Sequence, residues 1–169
     1  MLEGALVRLR PSTRADWGAL FTVAADPLLW AVHPAHDRWQ EPVFRAYFEA
    51  GIASGGALTI IDRAGDTVIG SSRFDNWNAD ADEIEIGWTY LARSHWGGAY
   101  NREVKRLMLD HILQYVGTVV FTVGVNNIRS RRAVEKIGGR VRPGTVDRLM
   151  AGELKPHVIY EIQRPRTPA

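Results

Sequence analysis

The chain of 169 residues contains no cysteine. That absence excludes disulfides, thiolate metal sites and a cysteine nucleophile, and it makes a reduced compartment the default expectation. No apolar run approaches the ~18 residues that a bilayer-spanning helix needs. The opening MLEGALVRLRP alternates like a strand and lacks the apolar block of a secretory leader. The expected location is therefore cytoplasmic, with no membrane partner. Charge of one sign is lacking too: 21 Lys and Arg stand against 19 Asp and Glu, a balance of +2 that does not by itself ask for nucleic acid. There are no internal repeats, linkers or low-complexity segments, only a short tail, QRPRTPA. What is present is 46% apolar and 24% charged, which is ordinary for a globular domain long enough to bury one core. A single domain is expected over residues 1–162, with a loose tail at 163–169.

The hydrophobic periods arrange that domain. Residues 5–10 alternate as a strand, and Pro11, Ser12 and Thr13 punctuate it before a helix through Asp16, Leu20 and Val23. A second helix is expected over 41–53, after a broken, aromatic-rich segment, LLWAVHPAHDRW. Strands follow at 57–62, 67–75 and 82–91, joined by the turn-rich DRAGDT and NWNADA. From 101 to 116 the period is helical, with Val104, Leu107, Met108, Ile112 and Tyr115 on one face. Residues 118–123 are nearly all apolar, as in a strand covered on both faces. NNIRSRRAVEKIGG reads as a short helix capped by Asn127 and stopped at Gly138 and Gly139. Strands near 139–150 and 155–163 close the chain around AGEL. Antiparallel strands followed by a strand–helix–strand–helix unit make a mixed α/β (α+β) domain with a right-handed crossover.

One stretch is out of character. HWGGAYNREVKRLMLDHIL, from His95, opens an amphipathic helix with glycines that weaken it. A helix N-terminus carries unpaired N–H groups and partial positive charge, so Gly97, Gly98 and Ala99 would let a bulky anion reach those amides. No Lys-Ser or Lys-Thr pair follows, which excludes a P-loop, and the GxGxxG fingerprint is absent. A tight turn needing glycine for geometry accounts for the loop equally well.

Taken with NNIRSRRAVEKIGG, this stretch resembles the GNAT superfamily of acyl-CoA-dependent N-acetyltransferases, in particular the branch that includes ribosomal-protein N-terminal acetyltransferases. The resemblance rests on EIGWTYLARSHWGGAYNREVKRLML and on Asn127, Ser130, Lys136 and Gly138. It implies a central, mostly antiparallel twisted sheet of about seven strands with four helices. The family's pyrophosphate loop falls on Trp96, Gly97, Gly98, Ala99, Tyr100 and Asn101, with Ala99 and Asn101 where small motif residues are expected. By the same resemblance acetyl-CoA is the co-substrate. Its pantetheine arm would pair with backbone near Tyr90 and Leu91, between that strand and the one from Thr118. Asn127 would hydrogen-bond the arm, and Arg132, among Arg129, Arg131 and Arg132, would meet the 3′-phosphate. A solvated helix face explains those arginines as well.

An amine attacking a thioester needs a neutral nucleophile, a stabilised oxyanion and a proton for the thiolate. The resemblance puts the oxyanion donor on a backbone N–H at a bulge in the strand ending near Leu91. It places Ser130 to protonate the sulfur, although Ser130 could instead cap its helix. In DEIEIGW, alternation sets Ile84, Ile86 and Trp88 on one face and Glu83, Glu85 and Gly87 on the other. Two carboxylates on one face of a central strand suit a wet cleft, with Glu85 as base and Glu83 on substrate. Cross-strand pairing with arginines such as Arg73 is the competing account.

His33 and His36 in HPAH lack a third ligand nearby, so no metal is expected. Trp30, His33 and Trp39 lie where the family builds its acceptor pocket, though aromatics at a dimer contact fit too. The function implied is transfer of acetyl from acetyl-CoA to a primary amine, either a protein N-terminus or a small amine. The alternative is a non-catalytic acyl-CoA-binding or interaction domain. A homodimer is compatible with either, and a nucleic-acid partner is disfavoured by the absence of an aromatic-interleaved basic stripe.

Overall fold

Apolar residues in successive strand segments build one mixed sheet, and the helices between them cover its two faces. The computed structural model describes residues 1–165. Its strands are β1 (Leu2–Glu3), β2 (Val7–Pro11), β3 (Ala57–Asp62), β4 (Thr67–Asn78), β5 (Glu83–Leu91), β6 (Thr118–Gly124), β7 (Arg140–Val141), β8 (Val146–Met150) and β9 (Glu153–Gln163). The order across the sheet is β1-β2-β3-β4-β5-β6-β9-β7, with β8 also paired to β9. All pairings are antiparallel except β5 with β6. The mixed, mostly antiparallel architecture is thus the one expected.

Two counts change. The sheet has nine strands rather than about seven. Gly4 separates the two-residue β1 from β2, and Pro143-Gly144 breaks the expected strand at 139–150 into β7 and β8. Proline cannot donate to a ladder, and Gly144 takes φ 88°, so the strand is interrupted there. Helices number five rather than four: α1 (Trp17–Ala24), α2 (Pro27–Trp30), α3 (Glu41–Ser54), α4 (Ala99–Ile112) and α5 (Ile128–Lys136). The additional one, α2, begins with Pro27 after Asp26, whose Oδ1 accepts from the Leu28 N–H at 3.0 Å. An Asp-Pro start of this kind is a legible helix signal.

The faces bury different chemistry. On one, α4 and α5 set Val104, Met108, Leu109 and Val134 against Val7, Leu9, Ile60, Ile86 and Phe121. Each fully buried aliphatic side chain contributes roughly 2 kcal/mol. On the other, Leu20, Trp30, Phe44 and Phe48 from α1 to α3 pack with Tyr90. Trp30 is buried among them and donates its Nε1–H to the Ala24 carbonyl at 2.7 Å. Tyr115 was expected on the buried face of the long helix. It is 66% exposed because α4 stops at Ile112. β9 runs through Gln163, and Arg164 follows it, its backbone donating to Gly117 and its Nε to Val116. The ladder therefore reaches past residue 162, and residues 166–169 of the expected tail lie outside the described residues.

Glu103 ties the N-terminus to α4. Its carboxylate accepts the N–H groups of Ala5, Leu6 and Val7 at 2.9, 2.7 and 2.9 Å. Gly4 makes this approach possible, since a Cβ there would stand 2.4 Å from the Glu103 carboxyl carbon. Burial opposes ionisation of Glu103, but the three amides outweigh it and hold its pKa below the usual value. A carboxylate with a depressed folded pKa contributes stability above its unfolded pKa and loses it as pH falls through the folded one. Glu103→Gln should therefore destabilise the protein by roughly 1 kcal/mol at pH 7, a modest figure because the site is half-exposed. In urea melts the gap from wild type should close below about pH 4.

Candidate active site

β5 and β6 stay paired for three residues, Glu83 to Glu85 against Thr118 to Val120. Beyond that they part, while β6 continues along β9 as far as Gly124 opposite His157. The gap opens into a cavity of about 270 Å³. Tyr90 and Leu91 line one wall, Phe121 to Gly124 the other, and Asn127, Ser130 and Val134 of the α5 region close it.

A bulge lies in the β5 wall. Ser71 faces Tyr90 and Arg73 faces Gly87, so Trp88 and Thr89 together oppose Ser72. Trp88 adopts φ 53°, and the extra residue inverts the alternation of everything after it. Trp88 therefore does not follow Ile84 and Ile86, as strict alternation predicted. Its ring lies 4.1 Å from the Arg73 guanidinium, and Tyr47 on α3 donates its hydroxyl to the Trp88 carbonyl at 2.5 Å. Thr89 turns instead towards α4.

At the other end, Gly97 and Gly98 take φ 109° and 103°, values open to glycine at little cost. A Cβ at Gly97 would meet nothing within 4 Å, and one at Gly98 only Arg102 Nη2 at 4.0 Å, so the space above both is clear. Among the described residues nothing accepts from the five amides of residues 97–101, and the first loop-to-helix bond is Arg102 N–H to Gly98 O. Trp96 braces the loop by donating Nε1–H to the Leu91 carbonyl at 2.9 Å, and Arg129 stacks on its ring at 4.0 Å. Trp96, Gly97, Gly98 and Asn101 line the cavity. Ala99 and Tyr100 lie outside the lining. Tyr100 donates to Asp62 at 3.2 Å and packs edge-on against His95.

On α5, the buried Asn127 accepts the Ser130 N–H on its Oδ1 at 3.3 Å. Asn127 is therefore the cap, and the Ser130 hydroxyl, which lines the cavity, has no hydrogen bond among the described residues. Of the arginine cluster, Arg129 reaches the lining. Arg131 is held by Tyr160 Oη and the Val125 carbonyl, and Arg132 is exposed outside it.

The two carboxylates of β5 have different surroundings. Glu85 is buried in the cavity wall, its Oε2 accepting from Asn76 Nδ2 at 2.7 Å and Arg148 Nη2 at 2.8 Å. Its Oε1 has no hydrogen bond among the described residues and lies 3.6 Å from where a Cβ on Gly87 would stand. Glu83 is outside the lining, paired to Arg142 at 2.7 Å, and Arg142 also holds Glu161. Arg73, the partner anticipated for these carboxylates, pairs instead with Asp75 at 3.3 Å. Trp30 and His33 belong to the wall, whereas Trp39 is 40% exposed outside it. His33 Nδ1 accepts the Ala35 N–H at 2.9 Å, and burial, aided by Arg38, Arg129 and His157, pushes its pKa down to about 3. Among the described residues no three His, Asp or Glu side chains gather as metal ligands.

Two residues escaped sequence reading. His157 on β9 is buried in the wall with Nδ1 hydrogen-bonded to the Lys155 carbonyl at 2.7 Å, and burial lowers its pKa. Lys105 sits nearly two turns into α4 and lines the cavity, its amine donating to Thr89 Oγ1 at 2.5 Å and Ser72 Oγ at 3.3 Å. It has no carboxylate partner among the described residues, and burial pulls its pKa down to about 7. A lysine inside an apolar helical period was the one available signal.

A sequence profile of the acetyltransferase (GNAT) domain matches residues 7–140. The chain belongs to the GNAT family. A GCN5-related N-acetyltransferase from Brucella melitensis superposes with a TM-score of 0.83 at 19% identity, covering 96% of this chain and 78% of its own. Spermidine N-acetyltransferase from Vibrio cholerae, in complex with CoA and spermine, gives 0.73 at 15% identity, covering 95% and 97%. The protein yncA from Salmonella typhimurium, with its cofactor acetyl-CoA, gives 0.65 at 19% identity, covering 96% of each chain. At these identities the likeness is one of fold. No curated protein matches the chain in sequence. The GNAT match is to the family as a whole and does not select the ribosomal-protein branch.

Lys105 gives this GNAT domain a measurable pH signature. Because its folded pKa lies below the unfolded value of about 10.4, the folded state bears the full cost of a buried charge below about pH 7. That cost fades as pH rises towards 10. Lys105→Met should raise Tm at pH 6, by roughly 5 °C, with the gain shrinking as the scans move to pH 10.

Proposed function

We propose that this GNAT protein is an acetyl-CoA-dependent N-acetyltransferase that transfers acetyl to a primary amine by direct attack on the thioester. The observation that carries this reading is the run of unpaired amides at 97–101, of which Gly97, Gly98 and Asn101 line the gap between β5 and β6. A phosphate-bearing ligand ending in an extended arm fits both features, with the diphosphate on the α4 N-terminus and the arm beside Tyr90 and Leu91 as an added strand. Acetyl-CoA supplies a thioester carbonyl for the amine to attack and a thiol that leaves.

The chain's own groups then divide the work. A bulge amide, at Trp88 or Thr89, donates to the carbonyl oxygen as its charge develops, a contribution of ~3 kcal/mol in comparable sites. Oε1 of Glu85 receives the ammonium proton while Asn76 and Arg148 fix the carboxylate through Oε2. Ser130 Oγ, relieved of capping by Asn127, relays to the departing sulfur the second proton, which the nitrogen sheds once the C–N bond has formed and the C–S bond breaks. A thiol of pKa ~8.5 needs only modest assistance.

Calorimetric titration with acetyl-CoA and with dephospho-coenzyme A is the first test, followed by thiol release with amine acceptors. Gly98→Val should weaken acetyl-CoA binding at least about tenfold with unchanged circular dichroism, since the branched side chain opposes φ 103° and covers the amides. Ser130→Ala should leave acetyl-CoA affinity unchanged and lower kcat by about 10- to 100-fold. Binding without any amine-dependent thiol release would instead make the protein a non-catalytic acyl-CoA-binding domain.

A further inference from the structure

The acceptor end of the cavity contains a cation whose guanidinium has no hydrogen-bond or ion-pair partner among the described residues. Arg38, between α2 and α3, lines the cavity with Trp30, His33 and Trp88. Its guanidinium lies 4.5 Å from the Tyr47 ring centre and 5.2 Å from that of Trp30. It makes no hydrogen bond or ion pair among the described residues. Its sequence neighbour Asp37 lies near enough to favour its charge but forms no ion pair with it, and Asp37 Oδ1 is buried without a hydrogen bond. Burial pulls the Arg38 pKa down, although a guanidinium stays charged at neutral pH. An arginine with five donors and two aromatic platforms, left without an acceptor, is arranged for a planar anion from outside.

The neighbouring charges point the same way. Glu85 is the one carboxylate in the lining, and Arg148 already holds it. Against it stand Arg38, Lys105, Arg129 and Arg148. His33 is neutral at pH 7, and His157 has its pKa lowered by burial. Such a wall repels a polycation, because Glu85 offers room for one ammonium and no further carboxylate follows. Arg38 is also well placed relative to the bulge: Tyr47, on whose ring it stacks, donates to the Trp88 carbonyl.

We infer that the acceptor is a small amine bearing a carboxylate, a free amino acid being the simplest case, with its carboxylate on Arg38 and its amine at Glu85. This rests on the N-acetyltransferase reading and narrows it. Polyamines, such as the spermine bound by the Vibrio cholerae enzyme, are then poor acceptors here.

The test compares L-glutamate, L-methionine and L-phenylalanine with their α-carboxamides and with spermidine, by thiol release at saturating acetyl-CoA. The acids should exceed the amides by about tenfold or more in kcat/KM, mainly through KM, with spermidine lowest. Arg38→Met should bring the acid-to-amide ratio close to one while acetyl-CoA affinity is unmoved, and Arg38→Lys should retain part of it. Equal use of acids and amides, or preference for spermidine, overturns the inference, and neither comparison needs a variant. If acetyl-CoA binds but no amine is consumed, the transfer reading fails and the pocket is judged by binding alone. N-acetyl-L-methionine and N-acetylspermidine are then titrated calorimetrically into the coenzyme A complex. Saturable binding of the acid only, abolished by Arg38→Met, upholds the carboxylate site, and absence of such binding overturns it.

Discussion

Everything distinctive about this domain follows from the three-residue parallel ladder between β5 and β6. Had the strands stayed paired, the sheet would be continuous and its backbone groups satisfied. Because they part after Glu85 and Val120, two strand edges are exposed inside the protein, a condition that ordinarily invites another strand. The fold accepts this because the outer edges of both strands are fully used, β5 by β4 and β6 by β9. The cavity is therefore a consequence of sheet topology, and it is held open by ladders on either side.

The bulge at Trp88 sets the chemistry of that opening. By inverting the alternation it sends Thr89 to the α4 side, where it meets Ser72 and Lys105, and Trp88 to the α3 side, where it meets Arg73 and Tyr47. Without the extra residue Trp88 would face α4 and Thr89 would face Tyr47. The polar cluster at Lys105 and the aromatic platform under Arg38 would both be lost. One irregular residue thus partitions the site into a hydroxyl-and-amine side against α4 and an aromatic side against α3.

The sequence carried the fold well where a period was long enough to read. The segment 57–62 coincides with β3, and the antiparallel-then-crossover order is correct because side-chain alternation and helical spacing are local properties. The need for glycine at Gly97 and Gly98 was legible for the same reason, since positive φ leaves its mark in composition. The bulge was not, because an inserted residue alters register without altering residue type. That is why Trp88 was placed on the wrong face. Arg148 and Arg142 reach Glu85 and Glu83 from more than fifty residues away, a pairing that no single sequence displays. Lys105 and Arg38 went unread because an unpaired charge is a statement about what does not surround it.

The distribution of partners among the charged groups separates structure from function in this protein. Arg10 with Asp16, Arg142 with Glu83 and Glu161, and Glu103 with the β1–β2 backbone are all matched inside the chain, and each ties two segments together. The groups left open among the described residues lie together in one cavity: the amides of Gly97, Gly98 and Asn101, the Ser130 hydroxyl, Oε1 of Glu85 and the Arg38 guanidinium, beside a Lys105 amine that has hydroxyl partners but no carboxylate. Leaving such groups without partners in a part-buried wall costs stability. That a chain which matches its ions elsewhere leaves these open supports the proposed pair of substrates, a phosphate-bearing thioester at one end of the cavity and a carboxylate-bearing amine at the other.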